Sequence, residues 1–137
     1  MTARQLAAKD YMEKYGDACR RVRQCLEQYQ REELLIDAIR SSSDNDGMPH
    51  GNSIGRPTES KAIRLADKGM NIFDARLDAL RTEREIFEIA YKVGGIEGDV
   101  LIERYIKLKE WRDGYAESQT HRYHRAGLDK VADLLGL

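Results

Sequence analysis

The sequence predicts an all-α protein, with a long antiparallel helical hairpin that resembles a coiled coil and a C-terminal pair of shorter helices. Charged residues make up 34% of the chain and aromatic residues only 7%, a balance that favours extended, solvated helices over a thick core. Both prolines lie in one stretch that is rich in turn-forming residues. On either side of that stretch, apolar residues recur at alternating spacings of three and four, the period of an amphipathic helix.

The composition also limits the class of protein and its location. At 137 residues the chain has the length of one domain. Its 23 basic and 24 acidic residues nearly cancel, so a polyanionic partner would have to bind a local cluster. We find neither a signal peptide nor an apolar run of about 18 residues, and therefore expect no membrane partner. Cys19 and Cys25 lie about 240° apart around a predicted helix, so we expect free thiols and a cytoplasmic location.

The first predicted element is a long helix within residues 1–41. From Ala3 to about Arg40 there is no proline and a single glycine. One face of this helix carries apolar or small residues at spacings of four and three: Tyr11, Tyr15, Ala18, Val22, Cys25 and Tyr29. The same apolar face continues towards the C-terminal end of the helix with Leu35, Ile36 and Ile39.

A linker of residues 42–57 separates this helix from the next. The stretch from Ser41 to Pro57 is dense in glycine, proline, serine, asparagine and aspartate, which favour turns over helices. Met48 and Ile54 are its only large apolar residues. The sequence therefore predicts a mobile segment that lies outside any active site and is readily cut by proteases.

The second long helix is predicted within residues 58–93, with Thr58 as its N-cap and Gly94-Gly95 as its end. Its apolar residues also follow a heptad pattern: Ile63, Ala66, Met70, Phe73, Leu77, Leu80, Phe87 and Tyr91. Two helices with matching patterns bury both faces most simply as an antiparallel hairpin, within one chain or within a homodimer. The predicted contact uses Tyr15, Val22, Tyr29, Ile63, Met70, Phe73 and Leu77. If Leu77 is core, Leu77→Ala should cost about 2–5 kcal/mol.

The sequence of residues 98–137 predicts two shorter helices. Asp99 is the predicted cap of a helix over about Val100–Arg112, and Gly114 breaks it. Ser118 is the predicted cap of a last helix over about 119–135. Its inward face is predicted to hold Tyr123, Leu128, Val131 and Leu135. Two helices around a glycine-containing turn are the arrangement by which a helix-turn-helix presents its recognition helix to DNA.

The start of the last helix holds the candidate DNA-binding residues: Gln119, Thr120, His121, Arg122 and Arg125. Arginine can bind guanine or phosphate, and the N-terminus of a helix itself favours phosphate. Glutamine and threonine are donors suited to backbone contacts. The competing interpretation is an ordinary solvated helix, since residues 98–137 contain seven basic and seven acidic residues.

Catalysis and metal binding are not predicted. His121 and His124 have the i, i+3 spacing of some helical metal sites, but a metal needs two more ligands and the only other histidine, His50, lies in the linker. We find no nucleophile–base pair, no pair of carboxylates and no phosphate-binding glycine loop. The sequence thus predicts a protein that is not an enzyme and needs no cofactor.

Several motifs in fixed order resemble one family. They are Asp46-Gly-Met-Pro-His-Gly51 before a long helix, Leu101-Ile-Glu-Arg-Tyr-Ile106, Trp111, and Tyr123-His-Arg-Ala-Gly-Leu128. Residues 44–135 thereby resemble small phage and prophage proteins of firmicutes that end in a sigma-factor region 4-like helix-turn-helix, related to ArpU- and RinA-type transcriptional regulators. Arg122, His124 and Arg125 match the DNA-facing helix of that family. The segment 111–118 departs from it, since it is too short for the first helix of the motif and its turn.

The resemblance implies a phage-derived regulator that binds double-stranded DNA in the cytoplasm of a bacterial host. The hairpin would then serve as a dimerisation element or as a docking element for host RNA polymerase. The alternative is a helical protein-binding module, a phage factor that occupies or inhibits a host nucleoprotein machine. Salt dependence of binding to duplex DNA separates the two functions, because neutralised phosphates give a steep slope.

Overall fold

The protein is all-α in the computed structural model, as predicted. The structure describes the backbone of residues 1–44, 55–109 and 114–137, and the side chains of residues 1–38, 59–109 and 114–137. Within these residues there is no strand, and the five helices are α1 (Ala3–Met12), α2 (Lys14–Asp44), α3 (Gly55–Val93), α4 (Gly95–Tyr105) and α5 (Glu117–Leu135). None of these helices has the length and apolar character needed to cross a lipid bilayer.

The chain divides into two compact units. Unit 1 comprises residues 1–19 and 78–137, and unit 2 comprises residues 20–77. The two long helices extend past their predicted ends, to Asp44 and from Gly55, so they take up both edges of the predicted linker. The middle of that linker, including Met48 and Ile54, lies outside the described residues, as does Trp111.

The predicted first helix is interrupted once, at Glu13. The start of α1 is fixed by a capping box: the Thr2 hydroxyl accepts from the Gln5 amide at 3.2 Å, and the Gln5 side chain accepts from the Thr2 amide at 3.1 Å. Glu13 N–H still bonds to Lys9 O, at 2.9 Å, so helical hydrogen bonding continues across the interruption. The amphipathic pattern predicted the helical stretch, but no breaker residue marks the position of the interruption.

Unit 1 has the well-buried core of the described residues. Helix α5 packs on both α1 and α4. Residues from four helices form this core and are buried: Ala8, Met12, Ile86, Ala90, Leu101, Tyr105, Leu128, Val131 and Ala132. At the edge of the core, α1 and α5 are joined by an ion pair between Arg4 and Asp133 and by a hydrogen bond of 3.0 Å from Gln5 Nε2 to Asp129 Oδ1.

Two glycines permit close packing around α4. A Cβ on Gly98 would lie 2.7 Å from the Ala90 carbonyl oxygen, closer than real Cβ atoms approach such an oxygen. A Cβ on Gly127 would lie 3.2 Å from two Leu101 side-chain carbons and 3.4 Å from the Glu97 carbonyl oxygen. From the sequence alone, Gly127 is a residue of low helix propensity within α5. In the structure it is the site where α5 meets α4.

We expect Gly98→Ala to lower the free energy of unfolding by about 1–3 kcal/mol, because the new methyl group meets backbone that cannot rotate away. Gly69→Ala in α3 is the matched control. A Cβ there would be 3.7 Å from the Tyr29 ring, an ordinary contact, so the gain in helix propensity should raise stability by about 0.5–1 kcal/mol. Urea denaturation measures both. Equal stabilisation by the two changes would contradict the close approach at Gly98.

Unit 2 contains the antiparallel hairpin of α2 and α3. Lys68 Nζ of α3 lies 3.2 Å from Glu32 Oε1 of α2, and Gly69 of α3 faces Tyr29 of α2. Residue numbers therefore fall along α3 as they rise along α2, which makes the two helices antiparallel as predicted. The predicted face of α2 is packed at Val22, Cys25 and Tyr29, which are half-buried. The prediction is wrong for Leu35, which is 57% exposed. Cys19 and Cys25 are free thiols.

The predicted packing face of α3 is wrong. Ile63, Met70 and Phe73 are about 60% exposed, and Leu77 is 37% exposed. The residues that face inward from α3 form a second series, rotated from the first around the helix: Leu65, Gly69, Ile72, Ala75, Ala79, Ile86 and Ala90. Both series fit a heptad pattern, and the inner one contains small residues that let helices approach closely. The revised expectation is that Leu77→Ala costs well below the 2–5 kcal/mol of a core leucine.

Candidate functional site

The two C-terminal helices have bounds that differ from the predicted ones. Helix α4 starts at Gly95, capped by Gly94, so the predicted cap Asp99 lies inside the helix. It ends at Tyr105, earlier than the predicted Arg112, and residues 106–116 connect it to α5. A helix-turn-helix uses a turn of about three or four residues. The predicted packing of two C-terminal helices is confirmed. The connection between them is longer than such a turn, and residues 110–113 of it lie outside the described residues.

The predicted DNA-binding residues fall into three environments on the first turns of α5. Gln119, Arg122 and Arg125 are exposed. His121 is half-exposed, with its Nε2 3.9 Å from Glu117 Oε1. Thr120 is 3% exposed, and its hydroxyl donates to the Ala116 carbonyl oxygen at 3.2 Å. Thr120 therefore faces the interior and is not part of the candidate contact surface.

The helix start itself also differs from the prediction. Ala116, and not Ser118, is the N-cap of α5, and it provides no side-chain cap hydrogen bond. Glu117 occupies the first turn, where its carboxylate is favoured by the helix dipole. Behind the exposed arginines, Leu128 is fully buried as predicted, while Tyr123 is half-buried and packs edge-on against Tyr115 with ring centroids 6.0 Å apart.

A buried pair of side chains lies directly below this surface. Tyr105 Oη and His124 Nε2 are 2.6 Å apart, and both side chains are at most 4% exposed. Burial, together with the nearby charges of Arg104 and Lys9, lowers the pKa of His124 to about 4. Burial likewise raises the pKa of Tyr105. Both groups are thus uncharged at neutral pH, and the pair acts as an internal hydrogen bond between α4 and α5.

The pairing of Tyr105 with His124 is not predicted by the sequence. By its neighbours in sequence, His124 belongs with the basic residues of α5 and matches the DNA-facing helix of the phage family. The available signal was its spacing, because 124, 128 and 131 lie on one face of a helix and the last two were predicted to be buried. A histidine on an apolar face is an expected partner for a buried tyrosine hydroxyl.

The two acidic residues in the C-terminal half of α5 are held by α1. Asp129 accepts a hydrogen bond from Gln5, and Asp133 pairs with Arg4. Lys130 Nζ lies 3.5 Å from Glu97 Oε1 of α4. Basic and acidic residues are equal in number over residues 98–137, but they are not spread evenly over α5. The charged side chains of its C-terminal half are paired with α1 and α4, while its N-terminal half exposes Arg122 and Arg125.

A second surface is apolar and lies along α3. We define the outer face of α3 by Met70, Phe73, Leu77, Leu80 and Phe87, all of them exposed. Phe87 stacks on the neighbouring Tyr91, which is itself exposed, with ring centroids 6.3 Å apart. Single exposed apolar residues are common, but a row of large ones at heptad spacing marks an interaction surface.

An open hollow of about 400 Å³ lies where α3 meets α4. Its lining is formed by Ala90, Tyr91, Gly94, Gly95, Gly98, Asp99 and Ile102. Asp99 is the only carboxylate among them, so the hollow contains no pair of groups suited to acid–base catalysis. Throughout the described part of the chain, no three histidine, cysteine or acidic side chains are grouped as metal ligands.

Comparison with known proteins found no relative. No protein-family model, curated protein or solved structure matches the chain. The candidate surfaces on α5 and α3 are therefore the basis for inferring a function.

Proposed function

We propose that this protein binds double-stranded DNA as a transcriptional regulator, as the resemblance to phage regulators implies. The observation that carries the proposal is the placement of Arg122 and Arg125, which are exposed one turn apart on the N-terminal half of α5. Gln119 lies exposed one turn before Arg122, and His121 flanks it. Together these side chains provide cationic and neutral donors on one end of a helix, the end that enters the major groove in recognition helices.

Apart from the exposed carboxylate of Glu117 in the first turn, the surroundings of the two arginines favour contact with an anion. The acidic residues later in α5 are already engaged by α1, and the buried His124 is uncharged at neutral pH. Helix α5 is held from behind by Leu128 and Val131, which are fully buried. A helix that is already held rigidly loses little backbone conformational freedom when it binds DNA. Less of the binding free energy from its arginines is therefore offset by ordering of the helix.

We expect Arg122→Ala or Arg125→Ala to weaken duplex binding by about 1–3 kcal/mol with little change in stability. Fluorescence anisotropy on a labelled duplex of about 30 base pairs, repeated at several salt concentrations, measures the effect. Loss of a phosphate contact should reduce the slope of log K against log salt by about 1, whereas loss of a base contact should relax sequence preference.

Arg23→Ala is the matched control, since Arg23 is an exposed arginine of α2 that is not on α5. It should leave both affinity and salt slope unchanged. An equal loss of affinity in the control would show that binding follows overall charge. No duplex binding by the wild-type protein at low salt would remove the DNA-binding proposal.

The outer face of α3 favours a second candidate function, that of a helical protein-binding module. The five residues that define it are large, apolar and exposed, and their heptad spacing matches the stripe that one helix presents to another. A partner helix with the same pattern could bury these residues without any change in the protein fold.

Photo-crosslinking tests this second function in the expressing cell. A photoreactive amino acid at Leu80 should crosslink to another polypeptide, whereas the same amino acid at Glu59, an exposed residue early in α3, should not. Tandem mass spectrometry of the product identifies the partner and the crosslinked helix. Equal crosslinking at both positions, or none at Leu80, would contradict a binding role for the outer face.

A further inference from the structure

We propose that the occupant of the outer face of α3 is a second copy of this chain, whose α3 lies antiparallel to the first. This inference rests on the second proposed function and identifies its partner. The heptad spacing of the face supplies a two-helix seam, and the charges beside the seam determine the direction and register of the two copies.

The apolar positions match one another in a two-fold arrangement. With Leu77 of one copy beside Leu80 of the other, the symmetry axis passes between positions 78 and 79 and this leucine layer occurs twice. Beyond the layer of Phe73 and Arg84, the next apolar layer places Met70 beside Phe87 of the second copy. All four residues of these two apolar layers are exposed in the single chain, so their burial would be gained only on association.

The flanking charges nearest the symmetry axis fit the same register, whereas further out Asp67 would lie beside Glu88 of the second copy, a like-charge contact. In antiparallel helix pairs, the residues that flank the seam on one side meet their equivalents from the other chain. Asp74 would therefore lie beside Arg81 of the second copy, and Arg76 would lie beside Glu83. Asp74, Arg76 and Arg81 are exposed and Glu83 is half-buried. Symmetry repeats both pairs, which gives four opposite-charge contacts around the central leucines.

A parallel pair is disfavoured by the same residues. In a parallel in-register pair each flanking residue meets the one five positions later in the other chain. Arg76 would then face Arg81, and Glu83 would face Glu88. Both contacts are between like charges, and both are repeated by symmetry, so the charges favour the antiparallel arrangement.

One position interrupts the apolar seam. Arg84 occupies the seam position between Leu80 and Phe87, and its Nε lies 3.3 Å from Glu88 Oε1. In the antiparallel register Arg84 meets Phe73, where the aliphatic part of the arginine can lie against the ring and its guanidinium can remain at the edge. A single polar residue within a seam specifies register at some expense of affinity.

Sedimentation equilibrium of the purified full chain tests the association. The wild-type protein should be dimeric at micromolar concentration, and Leu80→Gln should weaken the dimer at least tenfold. Leu34→Gln is the matched control, since Leu34 is a comparably exposed leucine of α2, and it should leave the dimer unchanged. Circular dichroism should show that both variants stay folded. A wild-type protein that stays monomeric to about 100 μM would overturn the proposal.

Charge exchange tests the direction and register. Symmetry gives two contacts between Asp74 of one copy and Arg81 of the other. Asp74→Arg alone turns each into a contact between two arginines, and Arg81→Asp alone turns each into a contact between two aspartates. Each variant should therefore dimerise roughly tenfold more weakly. An equimolar mixture restores both opposite-charge contacts and should form heterodimers as stable as the wild-type dimer. Variants that each dimerise like wild type, or a mixture that does not recover, would overturn this register.

Crosslinking and sedimentation together distinguish a failure of self-association from a failure of the protein-binding function. Crosslinking of Leu80 to another polypeptide, together with a monomeric purified chain, would retain the protein-binding module and exclude self-association. Absence of any crosslink at Leu80, together with a monomeric chain, would exclude both.

Discussion

Leu101→Ala is expected to lower the free energy of unfolding by about 2–5 kcal/mol, the largest effect of any substitution considered. Leu101 is fully buried in the core of unit 1, and its side chain packs against Gly127 of α5. Truncation of the side chain leaves a cavity between α4 and α5, because α5 is also held by α1 and cannot move inward freely. Urea denaturation measures the loss. Leu34→Ala, which changes a leucine that is 68% exposed, should cost less than about 0.5 kcal/mol.

A second substitution makes this prediction more specific. Gly127→Ala alone should destabilise the protein, since its methyl group would press on Leu101 and on the Glu97 carbonyl oxygen. In the Leu101→Ala background the leucine is gone, so the same methyl group should fill part of the cavity and raise helix propensity by about 1 kcal/mol. The sign of the Gly127→Ala effect should therefore reverse between the two backgrounds. Additive effects would show that the two residues do not share a contact.

Acidification from pH 7 to pH 5 is expected to remove about 2 kcal/mol of stability through His124 alone. Its pKa is lowered to about 4 in the folded protein from an ordinary value of 6.5, so the unfolded chain binds the proton more tightly. The stabilisation is fully present above pH 6.5 and is lost as the pH falls from 6.5 to about 4. Over that whole interval the loss amounts to about 3 kcal/mol.

Urea denaturation at half-unit steps between pH 7 and pH 5 measures this loss. His124→Gln retains a hydrogen-bonding side chain but cannot titrate, so its stability should change much less over the same interval. Tyr105→Phe removes the partner and keeps the histidine, and its stability should still fall as the pH decreases. A wild-type protein with constant stability between pH 7 and pH 5 would contradict the burial of a neutral imidazole.

The helical period was sufficient to predict the class of fold but not the packing of α3. Positions such as Met70 and Phe73 were predicted to be core because apolar residues recur there at heptad spacing. The structure turns Ile72 and Ala75 inward instead, and exposes the larger side chains. Periodicity identifies which residues share a face, but it does not decide between two apolar faces of the same helix. That choice depends on close approach to α2, which Gly69 permits opposite Tyr29.

The candidate site was predicted unevenly for a related reason. Arg122 and Arg125 were expected to be exposed, and the structure confirms their exposure. Arg122 lies opposite the buried Val131 around the helix, whereas Arg125, three residues before Leu128, lies at the edge of the buried face. Thr120 was expected beside them. Successive side chains of an α-helix point about 100° apart, and this rotation places Thr120 in the interior. The Tyr105–His124 hydrogen bond joins two helices, and a pattern along a single helix cannot identify such a partner.

Unit 1 has a consequence for how the chain folds as it is synthesised. The side chains of Gln5 and Asp129 share a hydrogen bond although they are 124 residues apart in sequence. At about 5–20 residues per second, the ribosome would release α1 roughly 6–25 s before α5. During that interval the apolar side chains of Ala8 and Met12 lack the helix that later covers them. These side chains therefore stay exposed in the nascent chain until α5 has emerged, and the native core closes only after that.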